Sequence, residues 1–278
     1  MTIPVIKASG KTEDFSIDKL VNSLVRSGAP EDVARDIAER VSEQVSPSVH
    51  TRHIFRLAKK MLRHYSKATG MRYSIKRAIH ALGPTGYPFE KYVGRILKAH
   101  GYDVEVNRMI SGYCVTHEVD VLATRENRRC MIECKHHASG ERPADIKTAL
   151  YVHARFEDIR KAFEVRESLN SHIHEGWLVT NTRCSSEAIE YAECVGLKVV
   201  SWRYPETGSL EAMIEAKRLY PVTILPSARG KTIEALTSND IILAEEISGM
   251  DLPALMQRSG LDRQTASLIK KQADELCP

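Results

Sequence analysis

The stretch "HEVDVLATRENRRCMIECKHH", residues 117–137, sets acids inside two apolar runs that read as β-strands. Asp120 lies among Val119, Val121 and Leu122, and Glu133 follows Met131 and Ile132. A lone carboxylate in a strand core costs several kcal/mol, comparable to the whole stability margin of a domain, unless it is paired or holds a cation. The fold must therefore bring compensating charge to this pair of strands. The polar "TRENRR" between them is a turn, which makes the two runs a hairpin. Side chains alternate along a strand, so Glu133 and Lys135 project from one face while Cys134 points to the other. Hairpin pairing can turn Asp120 toward the same side. Two carboxylates brought together repel and raise one another's pKa until a lysine or a divalent ion neutralises them. A hard oxygen pair of this kind suits Mg²⁺ or Mn²⁺, which keep waters and take one or two carboxylates plus a substrate phosphate. The chemistry implied is phosphodiester hydrolysis, with a lysine to orient the nucleophile or stabilise developing charge. Glu90, on the helix "PFEKYVGRIL" ahead of the strands, is placed to approach as a further ligand or supporting group.

The surroundings of the hairpin fix a fold class. From residue 86 the order reads helix, strand, strand, strand, a long helix "ADIKTALYVHARFEDIRKAFEVR", the strand "EGWLVTNT", a serine-capped helix and the last strand "LKVVSWRYP". Antiparallel strands followed by a β-α-β unit predict a mixed sheet with helices on both faces, an α/β fold. Ahead of it, "IPVIKASGKTEDFS" reads as two short extended pieces around a glycine turn. Helices follow: "SIDKLVNSLVRSGA" behind the N-cap Ser16, "PEDVARDIAERVSEQV" with Pro30 in its first turn, and a basic stretch expected to form one helix to about Gly70 and another to about Leu82. "GPTGYP" breaks the pattern. After about Pro205 the chain turns mainly helical, ending in two short helices joined at "SGLD"; these read either as a DNA contact or as a structural or dimerising appendage. The expected division is 1–85, 86–204 and 205–278.

Charge adds one pointer to a partner. The net charge of +4 is mild, yet no Asp or Glu occurs between Glu43 and Glu90, while Arg52, Arg56, Lys59, Lys60, Arg63, Lys67, Arg72, Lys76 and Arg77 crowd that interval. A one-sign face attracts polyanions, either a nucleic-acid backbone or nucleotide phosphates. The six cysteines include no C-x-x-C pair, so neither a zinc ribbon nor a disulfide framework is indicated. His117, His136 and His137 are not needed to account for the oxygen site. The absence of a signal-peptide pattern, and of any apolar run near the roughly 20 residues a membrane helix needs, predicts a cytoplasmic protein with no membrane partner.

Two resemblances sharpen these expectations. "FEKYVGRILKAHGYDV", "EVDVLA", "IECK" and "GWLVTNTRCSSEAIEYAECVGLKVV", over about 86–204, resemble the Mrr-type restriction endonucleases of the PD-(D/E)xK superfamily. The resemblance implies that Asp120 and Glu133 bind the metal, Lys135 is the catalytic lysine and Glu90 the helix glutamate. "VIKASGKTEDFSIDKL" and the helices after it, about residues 3–83, resemble an ATP-cone. That implies ATP or dATP as an effector held by Val5, Lys7, Glu13, Phe15, Lys19 and Leu20, with Thr51 opening the helix that closes over it. The cone pattern is departed from at Ala8 and Phe55. The expectation is a Mg²⁺-dependent DNA endonuclease, a homo-oligomer regulated by adenine nucleotide. Its rivals are a DNA-binding module that does not cleave and a nucleotide-sensing regulator.

Overall fold

The computed structural model describes residues 3–7, 10–83, 85–139, 142–165 and 172–277. Ala8, and Arg166 at the expected end of the long helix, lie outside them. The chain forms two compact units, one of Met1–Ala78 with Val222–Pro278 and the other of Ile79–Pro221. The segment 205–278 is thus divided, with 205–221 in the second unit and 222–278 in the first.

The first unit opens with β1 (Pro4–Ile6) and β2 (Thr12–Asp14), an antiparallel pair. Gly10 turns the chain between them at φ +79°, a conformation open to glycine without strain. Helix α1 (Ile17–Arg26) starts at Ser16, whose hydroxyl accepts from Lys19 N at 3.2 Å. Then come α2 (Glu31–Ser42), the two-residue strand β3 (Val49–His50) parallel to β1, and α3 (Thr51–Tyr65). Leu20, Leu24, Ile37, Val41, Ala58 and Leu62 interlock in one core, closed by Val5 from the sheet. The basic stretch breaks earlier than its sequence predicts. Ser66 is extended (φ −152°, ψ 126°) and its hydroxyl caps a fresh helix, α4 (Lys67–Arg72), followed by α5 (Ile75–His80). Serine competes with helical backbone through such caps, which explains a break inside an otherwise periodic run.

The second unit carries the mixed sheet. Helix α6 (Tyr87–Ala99) leads into β4 (Asp103–Ser111), β5 (Thr116–Arg125) and β6 (Arg128–Lys135); α7 (Ile146–Val165), β7 (Glu175–Thr180), α8 (Ser186–Val195), β8 (Lys198–Val200) and α9 (Leu210–Lys217) follow. The strands lie in the order β4-β5-β6-β7-β8, the first three antiparallel and the last three parallel. Glu126 and Asn127, at φ 52° and 61°, form the two-residue turn of the central hairpin. Helices cover both faces: Gly94 of α6 sits against Val104 and Val106, whereas α7 packs Phe156 and Ile159 onto Leu122 and Met131 on the reverse side. The two glycines Gly94 and Gly176 allow these close approaches.

The chain then returns to the first unit through a 3-10 turn (Val222–Ile224), α10 (Lys231–Ser238), α11 (Ala244–Ser248), α12 (Leu252–Ser259) and α13 (Arg263–Leu276). At "SGLD", Gly260 ends α12 at φ 70° and Asp262 caps α13. No helix among the described residues is long and apolar enough to cross a membrane.

Candidate active site

The register of β5 on β6 pairs Val121 with Ile132, and the next pair in that register is Asp120 with Glu133. The backbone ladder stops there. Asp120 Oδ2 instead accepts from Cys134 N at 2.7 Å, so a carboxylate takes the place of a strand carbonyl. The ladder to β4 is also interrupted at this level, where Asn107 adopts φ 53° and its side-chain oxygen is buried without a hydrogen-bond partner among the described residues. Strand β5 is thus freed from regular pairing on both sides of Asp120, which lets this side chain turn toward Glu133.

Glu133 is only 18% exposed and pairs through Oε2 with Arg155 of α7. Arg155 is itself buried, and its other terminal nitrogen donates to Glu118 O. The guanidinium therefore bridges β5 and β6 at the point where their ladder opens. Asp120 Oδ1 and Glu133 Oε1 are left without a hydrogen-bond partner among the described residues. Lys135 is exposed one alternation beyond Glu133. Its backbone is pinned from β7: Lys135 O accepts from Thr180 Oγ1 at 2.7 Å, and Asn181 takes up both His137 N and His137 O.

The electrostatics are those of anions held together without enough counter-charge. Burial, reinforced by Asp120 and by Glu90, pushes Glu133 up to about 7, despite the opposing pull of Arg155 and Lys135. Burial, with Asp120 and Glu118 adding to it, likewise pushes Glu90 up to about 7. Asp120 is raised above the usual carboxylate range by burial, against the hydrogen bond from Cys134 and the charge of Arg155. Glu133 thus feels Asp120, Glu90 and Lys135, and Glu90 feels Asp120. Among the described residues, no three His, Cys, Asp or Glu side chains are arranged to chelate one ion. The donor set fits a hard ion that takes two carboxylate oxygens and fills its remaining positions with water and phosphate, as Mg²⁺ does.

Of the three histidines singled out in the hairpin, two have a partner for the ring, whereas the buried Nε2 of His137 has no hydrogen-bond partner among the described residues. His117 Nε2 meets Asp158 Oδ2 at 2.7 Å, His136 Nε2 meets Ile79 O at 3.0 Å, and His137 is held through its backbone by Asn181. Asp158 also accepts from Cys114 N and Val115 N, tying the β4-β5 turn to α7.

In the first unit, the residues of the expected cone converge in part. Glu13 Oε2 lies 2.6 Å from Lys7 and 3.5 Å from Lys19, and the hydrogen bond from Lys7 holds its carboxyl below the usual range. Ile6 pairs with His50 in the parallel register, so Lys7 and Thr51, the first residue of α3, each follow directly on the last paired residue of neighbouring strands. Val5 and Leu20 are buried in the core and Phe15 packs against it, so these three support the turn from beneath.

Comparison with known proteins resolves which family this is. The family model described as restriction endonuclease matches residues 83–206, and a second, described as AF1548-like, C-terminal, matches 220–277. Neither extends over residues 1–82. An uncharacterized protein of Archaeoglobus fulgidus is 41% identical over 133 residues, which make up 48% of this chain and 71% of the relative. The crystal structure of AF1548, described as a protein of unknown function, superposes with a TM-score of 0.61 at 32% identity, covering 69% of this chain and 98% of that one. This chain belongs to the AF1548-like family. Its sheet unit is a restriction endonuclease-like domain, and all four residues expected in the nuclease site, Glu90, Asp120, Glu133 and Lys135, lie within the matched span.

Sequence reasoning missed Arg155. Its signal was present: it falls on the apolar stripe Ala149, Val152, Phe156, Ile159 and Ala162 of α7, where an arginine must find a buried anion.

Proposed function

We propose that this AF1548-like protein is a metal-dependent endonuclease that hydrolyses phosphodiester bonds of DNA at Asp120, Glu133 and Lys135. The observation that carries the reading is the open ladder at Asp120 and Glu133, with two unpartnered carboxylate oxygens, among the described residues, beside Lys135. Mg²⁺ or Mn²⁺ would be held by Asp120 and Glu133. When bound, such an ion supplies a Lewis acid that lowers the pKa of water and screens the phosphate charge.

The residues of the chain do the rest. Arg155 fixes the Glu133 carboxylate in one orientation, and the amide of Cys134 does the same for Asp120. Preorganised ligands cost no rearrangement when substrate arrives. Lys135 orients the attacking water, takes its proton or stabilises the charge developing on the phosphate, from a backbone pinned by Thr180. Glu90 supports the pair from α6. One such centre cuts one strand, so a double-strand break calls for two copies related by a two-fold axis, and a homo-oligomer is part of the proposal.

The proposal includes regulation by ATP or dATP at the N-terminal turn. Support comes from the convergence of Lys7, Glu13, Lys19 and Thr51. Triphosphate oxygens would compete with Glu13 for both lysines, which gives binding a direct way to alter the local structure.

Supercoiled plasmid, methylated and unmethylated, incubated with Mg²⁺ or Mn²⁺ and with or without ATP or dATP, tests the reading. Wild-type protein should nick or linearise it only with metal, and Lys135→Ala should not cut. Cutting that persists unchanged in Lys135→Ala removes the assignment. A rate unaffected by either nucleotide removes the regulatory part alone.

A further inference from the structure

Within the first unit, a cationic row is assembled from elements distant in sequence. Arg56, Lys59 and Arg63 recur at helical spacing along α3, Arg77 comes from α5 and Arg229 from the segment before α10. Arg56, Arg63, Arg77 and Arg229 are exposed, and Lys59 is half-buried among them. Lys59 is held below its ordinary range by burial, and the charges that add to this are Arg63, Arg77 and Arg229, all cations. Arg77 in turn feels Arg56. None of these five forms an ion pair with a carboxylate of the described residues.

The row is also built rigidly. The Arg77 guanidinium lies 3.5 Å from the centroid of the Phe55 ring, and Phe55 stacks on Tyr73 at 4.8 Å with an interplanar angle of 10°. This column holds one planar guanidinium on top of two aromatic rings and leaves its edge for an acceptor. Arg63 lies directly across Gly70, where a Cβ would collide with Arg63 Cγ. Assembling like charges costs free energy, which a bound polyanion would offset.

We infer that Arg56, Lys59, Arg63, Arg77 and Arg229 form a second DNA contact outside the nuclease domain, gripping the phosphate backbone of duplex DNA without reading its sequence. The row from Arg56 to Arg63 runs about 10 Å along α3, at about 1.5 Å per residue. That open, linear spread suits successive phosphates better than one terminal phosphate group. Arginines presented by a scaffold toward phosphates fix position and register, while sequence must be read elsewhere. The inference rests on the reading of this chain as acting on DNA. It assigns to the first unit a share of affinity separate from catalysis.

The test is equilibrium binding of a fluorescent 25-base-pair duplex to the full chain in EDTA, over a range of salt, for wild type and for the triple variant Arg63→Gln, Arg77→Gln, Arg229→Gln. All three side chains are exposed, and circular dichroism checks that the fold is retained. Removing one cation from a phosphate should lower the slope of log K against log salt by about 0.9, so the triple variant should drop by about 2 to 3 and bind at least tenfold more weakly at 0.1 M salt. A slope unchanged to within about 0.5 overturns the inference. Fluorescent ATP is titrated in parallel. If the triple variant loses ATP while keeping its DNA slope, the row is a nucleotide site and the inference falls. Because no metal is present, a protein that never cuts DNA still shows the slope change, so failure of the nuclease assignment and failure of this one are read separately.

Discussion

Replacing Glu90 by glutamine should stabilise the metal-free protein, although it removes a residue of the proposed active site. Glu90 has its pKa raised from 4.5 to about 7 by burial and by Asp120 and Glu118. In the folded state it therefore keeps a proton that the unfolded chain releases between these values, and stability falls as pH rises through that window. Above about pH 7 the loss is complete, and below about pH 4.5 it is absent. The size of the rise sets a ceiling of about 3 kcal/mol. Glu90 is only half-buried, and screening by solvent reduces the figure to about 1 to 2 kcal/mol. Glutamine keeps the shape and carries no charge, so Glu90→Gln should match wild type near pH 4.5 and exceed it by that amount at pH 8. In thermal unfolding followed by circular dichroism in EDTA, the gain corresponds to roughly 3 to 8 °C in Tm for a unit of this size. Adding Mn²⁺ should stabilise wild type more than the variant and narrow the gap. A variant no more stable than wild type at pH 8, or a gain independent of pH, would refute the claim that burial and the neighbouring carboxylates penalise a charged Glu90.

The Arg155–Glu133 pair should behave as a coupled unit. Arg155→Met removes the ion-pair partner of the buried Glu133 and should cost about 3 kcal/mol in urea unfolding, whereas adding Glu133→Gln to it should recover at least about 1 kcal/mol, and strict additivity would deny the coupling. Gly176→Ala tests the closeness of β7 and α7, because a Cβ there would meet Phe156 Cγ at 2.8 Å and Leu197 Cδ1 at 3.1 Å. It should destabilise by about 1 to 3 kcal/mol, and a neutral result would mean that helix and strand give way freely at this point. Asp158→Asn should speed hydrogen exchange at the amides of Cys114 and Val115, which donate to its carboxylate. Unchanged protection there would show that the β4-β5 turn does not depend on this anchor.

The hairpin of β5 and β6 is legible in the sequence because three local signals agree in it: apolar alternation, a polar turn and acids that need a reason to be buried. The β-α-β unit after it is legible for the same kind of reason, with a serine cap at Ser185 and Gly196 in the left-handed region at the end of α8. What escapes local reading is set by distant partners. Strand β3 is two residues long, too short for any periodicity, and exists because Val49 and His50 pair with β1. The membership of 222–278 in the N-terminal unit depends on packing between segments far apart in the chain, about which local pattern is silent. In the candidate site, Glu133 and Lys135 follow from strand alternation alone. The opening of the ladder at Asp120, and the role of Arg155, depend on how β4 and α7 meet the hairpin.

If Asp120 and Glu133 hold the metal that allows DNA to be cut, loss of either carboxylate must stop cleavage without stopping binding. The most direct measurement is single-turnover cleavage of supercoiled plasmid in Mn²⁺ by wild type and Asp120→Asn, with DNA binding measured on the same samples. Wild type should convert the plasmid to nicked or linear DNA, and Asp120→Asn should lose at least a hundredfold in that rate with binding retained. Equal cleavage by the two proteins would contradict this role for the carboxylate.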